Sequence, residues 1–285
     1  MKLDTTTRVL IVGLGLIGGS YARVLTGKGF AVSAIDKDPA AIAYALSEGI
    51  ICRGSTLPGP DVAEADLVVL ALYPHVLLEW IRQYQHLLRP GALLTDVTGV
   101  KTVILAGLDG LLRPDVEFIA AHPMAGREKS GVMNSRADLF DKANYIVVPT
   151  EKNTKEAVAA CRALGETLGF ARISELSPAA HDDMIGFVSQ LTHCIAMCLM
   201  TCNSDRHLSD YTGDSFRDLT RIARLNDVMW SELFLANKEP LLHRMDDFMQ
   251  EMNDLRHLLE QGDAAALRQK MQCSTERRAW FDANK

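Results

Sequence analysis

The sequence predicts an α/β domain followed by an all-helical domain. Short apolar runs such as Leu67–Leu72 alternate with helical patterns over residues 1–175, which is typical of a parallel sheet with buried strands. One of these runs ends in a glycine-rich turn, and another ends in an aspartate. From about Pro178 onwards no convincing strand pattern returns. We therefore predict two domains, residues 1–175 and residues 176–285.

The glycine-rich turn joins a predicted strand, Val9–Val12, to a predicted helix, Ile17–Leu25, and has the form G-x-G-x-x-G. In such a turn Gly13 permits a tight reversal, Gly15 lets the backbone approach a pyrophosphate, and Gly18 lets the helix pack closely on the strand. The helix N-terminus offers free N–H groups to the pyrophosphate. An ordinary glycine-rich turn is the alternative, but the flanking strand and helix favour a dinucleotide-binding domain of the Rossmann type.

A carboxylate in the expected place indicates which dinucleotide binds. The predicted strand Ala31–Ile35 ends in Asp36, 18 residues after Gly18, where a carboxylate binds an adenosine ribose. Because this group accepts hydrogen bonds from the ribose 2′-OH and repels a 2′-phosphate, we expect NAD rather than NADP. The neighbouring Lys37 weakens this argument, since it could pair with a phosphate.

The other strands should bring their carboxyl ends to the same crevice, where ligands of parallel sheets bind. Further strands are predicted at Leu67–Leu72, Ala92–Thr95, Val116–Ala121, Tyr145–Val148 and Ala171–Ser174, and Ile50–Gly54 is expected to be a short strand or a turn. Helices are predicted between them at Pro39–Glu48, His75–Leu88, Lys101–Leu112 and Thr154–Leu168. The predicted cofactor-binding residues are Gly13, Leu14, Gly15, Leu16, Ile17, Gly18, Asp36, Leu72, Tyr73 and Asp96.

The second domain is predicted to consist of helices. The first, His181–Cys202, is apolar on more than one face, so it is either the central helix of the domain or a subunit interface. The others are predicted at Ser215–Ala223, Asp227–Asn237, Lys238–Gln261 and Ala264–Phe281.

Composition excludes several classes of protein. Thirty-six acidic against thirty basic residues give a net charge of −6, with no basic surplus for nucleic acid. We find no apolar run long enough to span a membrane, and no room for a signal peptide before the first strand. Six cysteines without a C-x-x-C pattern indicate reduced thiols and a cytoplasmic protein. We expect Cys194, Cys198 and Cys202, on one helix face, to pack as small apolar residues rather than bind a metal.

His122 is the leading candidate for acid–base chemistry. It follows the predicted strand Val116–Ala121, at the edge of the sheet where the cofactor should lie. A neutral imidazole there could accept a proton from a substrate hydroxyl during oxidation. A histidine with a purely structural role is the alternative.

Four segments of the sequence resemble one enzyme family. They are GLGLIGGS near the N-terminus, HPMAGREKSG at 122–131, VSQLTHCIA at 188–196 and FRDLTRIA at 216–223. These segments resemble the prephenate and arogenate dehydrogenases of tyrosine biosynthesis. The resemblance implies an α/β Rossmann-type dinucleotide-binding domain followed by an all-helical dimerisation domain, and therefore a homodimer. It also implies NAD-dependent oxidative decarboxylation of prephenate to 4-hydroxyphenylpyruvate, or of arogenate to tyrosine.

The resemblance also implies roles for individual residues. His122 aligns with the catalytic histidine, His193 with a substrate-binding histidine, and Arg221 with the arginine that binds a substrate carboxylate. The alternatives are a core histidine at His193 and a helix pair of Arg221 with Asp218. The full set of expected substrate-binding residues is His193, Arg221, Thr98, Gly99, Arg127, Glu128 and Asp218, with Lys129 as a weaker candidate.

One position departs from the family pattern. Many relatives have a serine where this chain has Gly99, within Thr98-Gly99-Val100-Lys101. The resemblance implies that this serine orients the nicotinamide and the histidine. In this chain either Thr98 supplies the hydroxyl instead, or no hydroxyl acts at this position.

Three other functions remain open from the sequence. Arogenate dehydrogenase differs only in the side chain of the substrate, and His193 favours the keto acid prephenate. A β-hydroxyacid dehydrogenase would need a lysine in the helical domain, and none lies near His193. A non-catalytic NAD-sensing module would produce no NADH with any candidate substrate.

Overall fold

The computed structural model describes residues 2–127 and 129–281, and an eight-stranded sheet forms its centre. The strands are β1 (Arg8–Val12), β2 (Ala31–Ile35), β3 (Arg53–Ser55), β4 (Leu67–Leu70), β5 (Leu93–Asp96), β6 (Glu117–Pro123), β7 (Asn144–Val148) and β8 (Arg172–Glu175). They lie in the order β3-β2-β1-β4-β5-β6-β7-β8. Strands β1 to β6 are parallel, β7 is antiparallel to β6, and β8 is parallel to β7. The predicted, mostly parallel sheet is confirmed.

The register of the parallel strands aligns their carboxyl ends. Val12 at the end of β1 pairs with Ile35 of β2 on one side and Leu70 of β4 on the other, and Leu70 pairs with Asp96 of β5. The glycine-rich turn, Asp36 and the segment after β4 therefore leave the sheet at one edge. His122 lies inside β6, not after it, and pairs with Ile146 of β7.

The sheet is covered on both faces, which explains its continuous apolar runs. Val9 and Ile11 of β1 belong to the apolar core on one face, and Leu10 and Val12 belong to the core on the other. All four side chains are at most 2% exposed.

Helices connect and follow the strands. In the first part of the chain these are α1 (Leu16–Gly27), α2 (Pro39–Ser47), α3 (Pro60–Glu64), α4 (Pro74–Tyr84), α5 (Thr102–Leu108) and α6 (Lys155–Leu168). Those that follow β8 are α7 (Pro178–Ile185), α8 (Thr192–Thr201), α9 (Leu208–Tyr211), α10 (Asp214–Thr220), α11 (Asp227–Ala236), α12 (Lys238–Gln261) and α13 (Ala264–Ala279). Short 3₁₀ turns lie at Gln85–Leu87, Val132–Asn134, Ala137–Phe140 and Arg221–Ala223.

Several predicted bounds were wrong. The short strand or turn expected at Ile50–Gly54 is a strand at Arg53–Ser55, and β4 ends at Leu70 rather than Leu72. The helix predicted to reach Leu112 ends at Leu108, close to Gly110, whose φ of 69° is incompatible with a right-handed helix. The short helix α3 was not predicted, because the prolines and glycine before it indicated a loop. Proline is well placed at its first helical position.

The helix predicted at His181–Cys202 is three segments. It begins earlier, at Pro178, where Ser177 accepts a hydrogen bond from the N–H of Ala180. Residues Gly186–Leu191 form a π-helix between α7 and α8. Such a segment changes the backbone hydrogen-bond pattern and often marks a functional site.

The stretch Pro178–Thr201 is long and apolar enough to cross a membrane, with a mean hydropathy of 1.5 over its most apolar window. This differs from the sequence analysis, which found no apolar run of sufficient length. The stretch nevertheless contains the buried polar side chains of His181, Asp182 and Gln190. Those of Asp182 and Gln190 bond to other parts of the chain, so this part of the stretch packs against protein.

The chain divides into two compact units, one up to Asn237 and one from Lys238 onwards. The first holds the sheet together with α7 to α11, and the second holds α12 and α13, which contact each other. Helices α7 to α11 group with the sheet because of contacts such as those from Asp182 to the start of α5. The division into residues 1–175 and 176–285 stays a prediction.

Candidate active site

Two of the three glycines in the turn are required by the fold itself. Gly13 has a φ of 98°, and a Cβ added there would overlap the carbonyl oxygen of Ala71. A Cβ added at Gly18 would overlap the carbonyl oxygen of Gly13. At Gly15 an added Cβ would meet no atom within 4 Å. The protein therefore gives no reason for a glycine at that position, and the open space fits the approach of a ligand phosphate.

The surroundings of the turn fit a dinucleotide. Helix α1 begins at Leu16 with no side-chain cap and no acidic residue in its first turn, so its N-terminal N–H groups are left for an anion. The Asp36 carboxylate accepts hydrogen bonds from the backbone N–H of Leu14, at 2.6 Å, and of Asp38, at 2.8 Å. These bonds fix Asp36 beside the turn, where it remains half-buried. Leu72 is half-buried and Tyr73 exposed at the same edge of the sheet.

Asp96 does not fit its predicted role as a cofactor ligand. Its side chain is fully buried and forms an ion pair with the equally buried Lys101, with 2.6 Å between Oδ2 and Nζ. The other carboxylate oxygen accepts from the backbone N–H of Ala121, and the Lys101 ammonium also donates to the carbonyl of Ala121, at 2.6 Å. Asp96 therefore ties the end of β5 to β6, just before His122.

Thr98 does not replace the hydroxyl that Gly99 lacks. Its side chain is buried, and its Oγ1 lies within hydrogen-bond distance of the Asp96 carboxylate and of the carbonyl oxygen of Val100. Gly99 itself lies beside the candidate base, since a Cβ added there would be 4.0 Å from Cε1 of His122 and 3.5 Å from Leu233. Both residues are close to the site, but neither offers a hydroxyl to it.

His122 belongs to a chain of polar side chains. Its Nδ1 lies 2.9 Å from Nε2 of His181, and Nδ1 of His181 lies 2.7 Å from Oδ1 of Asp182. Asp182 also accepts from the backbone N–H groups of Lys101 and Thr102, both at 2.8 Å. Burial, together with His181 and the Lys101 ammonium, lowers the pKa of His122 well below its usual value. The imidazole is therefore neutral at physiological pH, which is the state that a base requires.

His193 lies at the start of α8. Its Nδ1 is 2.8 Å from the carbonyl oxygen of Ser189, in the π-helix. Its ring stacks on Trp230 of α11, with 3.8 Å between the ring centroids and 33° between the planes. The half-buried ring is thus held in one orientation.

Arg221 begins the short turn Arg221–Ala223, which packs against α8. This brings the segment that carries Arg221 next to the helix that carries His193. Asp218 is exposed.

Helix α11 approaches several parts of the candidate site. Trp230 stacks on His193, and Leu233 faces Gly99 beside His122. The carbonyl oxygen of Leu233 accepts a hydrogen bond from the side chain of Gln190, in the π-helix.

The loop after β6 carries three further candidate residues. Arg127 and Lys129 are exposed, and Glu128 lies outside the described residues. Within the described part of the chain, no group of three or more His, Cys, Asp or Glu side chains is arranged to hold a metal ion.

Sequence reasoning missed several groups that pack around the candidate site residues. They are His181, Asp182, Lys101, Trp230 and Leu233. The available signal was the pair His181-Asp182 at the polar end of an otherwise apolar helix.

Comparisons with known proteins agree with this geometry. The family model "Prephenate dehydrogenase, nucleotide-binding domain" matches residues 21–174, and "Prephenate dehydrogenase, dimerization domain" matches residues 177–273. Prephenate dehydrogenase of Bacillus subtilis is 32% identical over 91% of this chain and 72% of its own length. Cyclohexadienyl dehydrogenase of Zymomonas mobilis is 29% identical over 90% of this chain and 89% of its own length.

A solved structure is similar over almost the whole chain. It is prephenate dehydrogenase of Aquifex aeolicus in complex with hydroxyphenyl propionate and NAD+, with a TM-score of 0.90 and 30% identity. The match covers 98% of this chain and 100% of that one. With a nucleotide-binding sheet, a helical region and both family models matched, the chain belongs to the prephenate dehydrogenase family, which consists of NAD-dependent oxidoreductases.

Proposed function

We propose that the protein oxidises prephenate to 4-hydroxyphenylpyruvate with loss of CO2, using NAD and with His122 as the base. The observation that carries the proposal is a half-buried, neutral histidine fixed at the carboxyl edge of a nucleotide-binding sheet. The activities named for the relatives from Bacillus subtilis and Aquifex aeolicus support the choice of prephenate.

The cofactor is held by the glycine-rich turn, the N-terminus of α1 and Asp36. NAD, when bound there, accepts a hydride from the ring carbon that bears the 4-hydroxyl group. Support for NAD over NADP comes from Asp36, whose half-buried carboxylate would repel a 2′-phosphate. Nearby Arg53 is paired with Asp61 and Glu64, so its positive charge is already compensated.

His122 handles the hydroxyl proton. As the hydride leaves, the 4-hydroxyl group becomes acidic and its proton moves to the imidazole. Loss of the ring carboxylate as CO2 then makes the ring aromatic and leaves a phenolate oxygen, which takes the proton back from His122. His122 therefore holds the proton only until the phenolate forms. For this role the imidazole needs a pKa near or below the pH at which the enzyme works.

Arg221 and His193 orient the substrate. Prephenate carries two carboxylates, and a protein of net charge −6 needs a local cation to bind them. The Arg221 guanidinium matches a carboxylate with two parallel hydrogen bonds. The stacked His193 contacts the substrate side chain, where prephenate has a keto group and arogenate an amino group.

The active protein is a homodimer in the cytoplasm. The dimerisation-domain match supports a second copy as the partner of the apolar helix, whose exposed side chains are Met184, Phe187, Val188, Met197 and Met200. Six free cysteines are consistent with a reducing compartment. Sedimentation at micromolar concentration should give a dimer, and a monomer would contradict this assembly.

One experiment tests the proposed function. NADH or NADPH formation is followed by absorbance with prephenate and with arogenate, each with NAD and with NADP. We expect the highest kcat/KM for prephenate with NAD. A higher value for arogenate would assign the alternative activity, and no turnover with either substrate would contradict an enzyme of this reaction.

A further inference from the structure

We propose that His181 and Asp182 are positioning residues that hold His122 in the tautomer with a proton on Nδ1 and a bare Nε2. The substrate-facing acceptor is then Nε2. This inference rests on the proposed function, because that function makes His122 the base.

The direction of the hydrogen bonds follows from the carboxylate. Although burial favours the protonated acid, hydrogen bonds from His181 and Thr102 bring the pKa of Asp182 below its usual value. An ionised carboxylate can only accept, so the bond between Asp182 and Nδ1 of His181 must carry the histidine's proton. Neutral His181 then has only a lone pair at Nε2 and accepts the Nδ1 proton of His122. Nε2 of His122 is left with a lone pair.

Both histidines must be neutral for this pattern, and their surroundings favour that state. Burial lowers the pKa of His181 and that of His122. Among the residues that the structure describes, the charged groups acting on His181 are Lys101 and Asp96, which form an ion pair between β5 and α5, and Asp182 on α7. The hydrogen bond between the two rings therefore joins two neutral imidazoles.

The pair is itself held in place. Asp182 bonds to the backbone N–H groups of Lys101 and Thr102, at the start of α5. Its own carbonyl oxygen accepts from the side-chain amide of Asn237, at 2.8 Å. His181 has no exposed surface and Asp182 only 2%. Fixed at both ends, the two side chains give the ring of His122 one orientation.

Neither Thr98 nor Gly99 can take over this support. A Cβ added at Gly99 would lie 4.0 Å from Cε1 of His122, but glycine has no hydroxyl, and the hydroxyl of Thr98 bonds elsewhere. Within residues 2–127 and 129–281, His181 provides the one side-chain hydrogen bond to His122. Its loss would leave both tautomers of His122 accessible.

Three variants of the full-length protein separate positioning from folding. His181→Phe keeps an aromatic ring but removes the acceptor, whereas His181→Gln can place an oxygen close to the position of Nε2. Ser177→Ala is the matched control, because it removes the N-terminal cap of the same helix and leaves the polar chain unchanged. Melting temperatures report the effect of each change on folding.

The first readout needs no substrate. The protein is labelled with ¹⁵N-histidine and studied by NMR. The signals of the His122 ring nitrogens are identified as those that are missing in the His122→Asn variant. We expect a protonated Nδ1 and an unprotonated Nε2 in the wild type, in Ser177→Ala and in His181→Gln, and a mixture of tautomers in His181→Phe. A bare Nδ1 in the wild type would overturn the proposal, even if His181→Phe failed to fold.

The second readout is turnover against pH. We expect kcat to fall roughly 10- to 100-fold in His181→Phe, which is the scale of a partly lost general base. The pH below which kcat falls should also differ from that of the wild type. His181→Gln should restore most of the activity. Ser177→Ala should keep the wild-type pH profile. A folded His181→Phe with the wild-type kcat and pH profile would overturn the proposal. If neither prephenate nor arogenate is turned over, the proposed function is wrong. The NMR measurement of the His122 tautomer still tests whether His181 and Asp182 position this ring.

Discussion

The carboxylate of Glu232 binds both the backbone N–H and the ring Nδ1 of His75, each at 2.7 Å. His75 lies in the first turn of α4, directly after the segment that carries Leu72 and Tyr73, and Glu232 lies on α11 between Trp230 and Leu233. The pair therefore connects the predicted cofactor edge of the sheet to the helix that contacts His193 and lies beside His122.

Replacing Glu232 by alanine should loosen this connection. Because the carboxylate is 21% exposed and the imidazole 58%, we expect a loss of only about 1 kcal/mol in folding stability. The KM for prephenate should rise severalfold, since Trp230 and Leu233 lose their anchor. Thermal melting and steady-state kinetics measure both effects. Glu79→Ala, which removes an exposed charge from α4, is the control, and equal behaviour of the two variants would contradict the role of the pair.

Replacing Asp36 by serine should change the cofactor preference. The wild type should have a higher kcat/KM with NAD, because the carboxylate binds the ribose hydroxyl and repels a 2′-phosphate. Asp36→Ser should weaken NAD binding and improve NADP relative to NAD. Kinetics with both cofactors at saturating prephenate check this. A wild type that uses NADP more efficiently would show that Lys37 outweighs the carboxylate.

Replacing Arg221 by alanine should separate substrate binding from chemistry. Because Arg221 is exposed in the free chain, we expect a rise in KM corresponding to roughly 1.5–3 kcal/mol, the usual contribution of a hydrogen bond to a charged group, with a smaller effect on kcat. Arg221→Lys should recover part of this loss, since lysine lacks the planar fork. NAD binding should not change. An unchanged KM in Arg221→Ala would remove this residue from the substrate site.

Replacing Lys101 by methionine should destabilise the fold. The change leaves the Asp96 carboxylate buried without its cation, which typically costs about 3–5 kcal/mol. Burial lowers the pKa of Lys101, but the adjacent Asp96 opposes this shift. Denaturant unfolding measures the loss, and the double variant Lys101→Met with Asp96→Asn should recover part of it. A single variant as stable as the wild type would contradict the importance of the pair.

The sequence predicted the architecture well because its signals are local. The apolar run Val9–Val12 and the following glycines specify a strand, a turn and a helix within a few residues of one another. The same holds for Asp36, whose position depends on the end of one strand. The predicted bounds were less accurate where the end of an element depends on packing, as at Leu70.

The support of His122 could not be predicted in the same way. His181 lies 59 residues further along the chain, and its contact exists only because α7 packs where β5 and β6 end. Nothing in the sequence near Asp96 distinguishes a ligand-binding carboxylate from one that is paired with Lys101. Such relationships depend on three-dimensional packing, which patterns of spacing do not encode.

The most direct test of the account is the turnover of prephenate with NAD by His122→Asn. We expect kcat to fall roughly 10²- to 10⁴-fold with a much smaller change in KM, since the base acts mainly as the hydride leaves. In the wild type, kcat/KM should fall with acid only below the ordinary histidine pKa of about 6.5, because burial lowers the pKa of His122 and protonation abolishes the base. A His122→Asn variant with near-normal kcat would contradict the central claim that this histidine is the base.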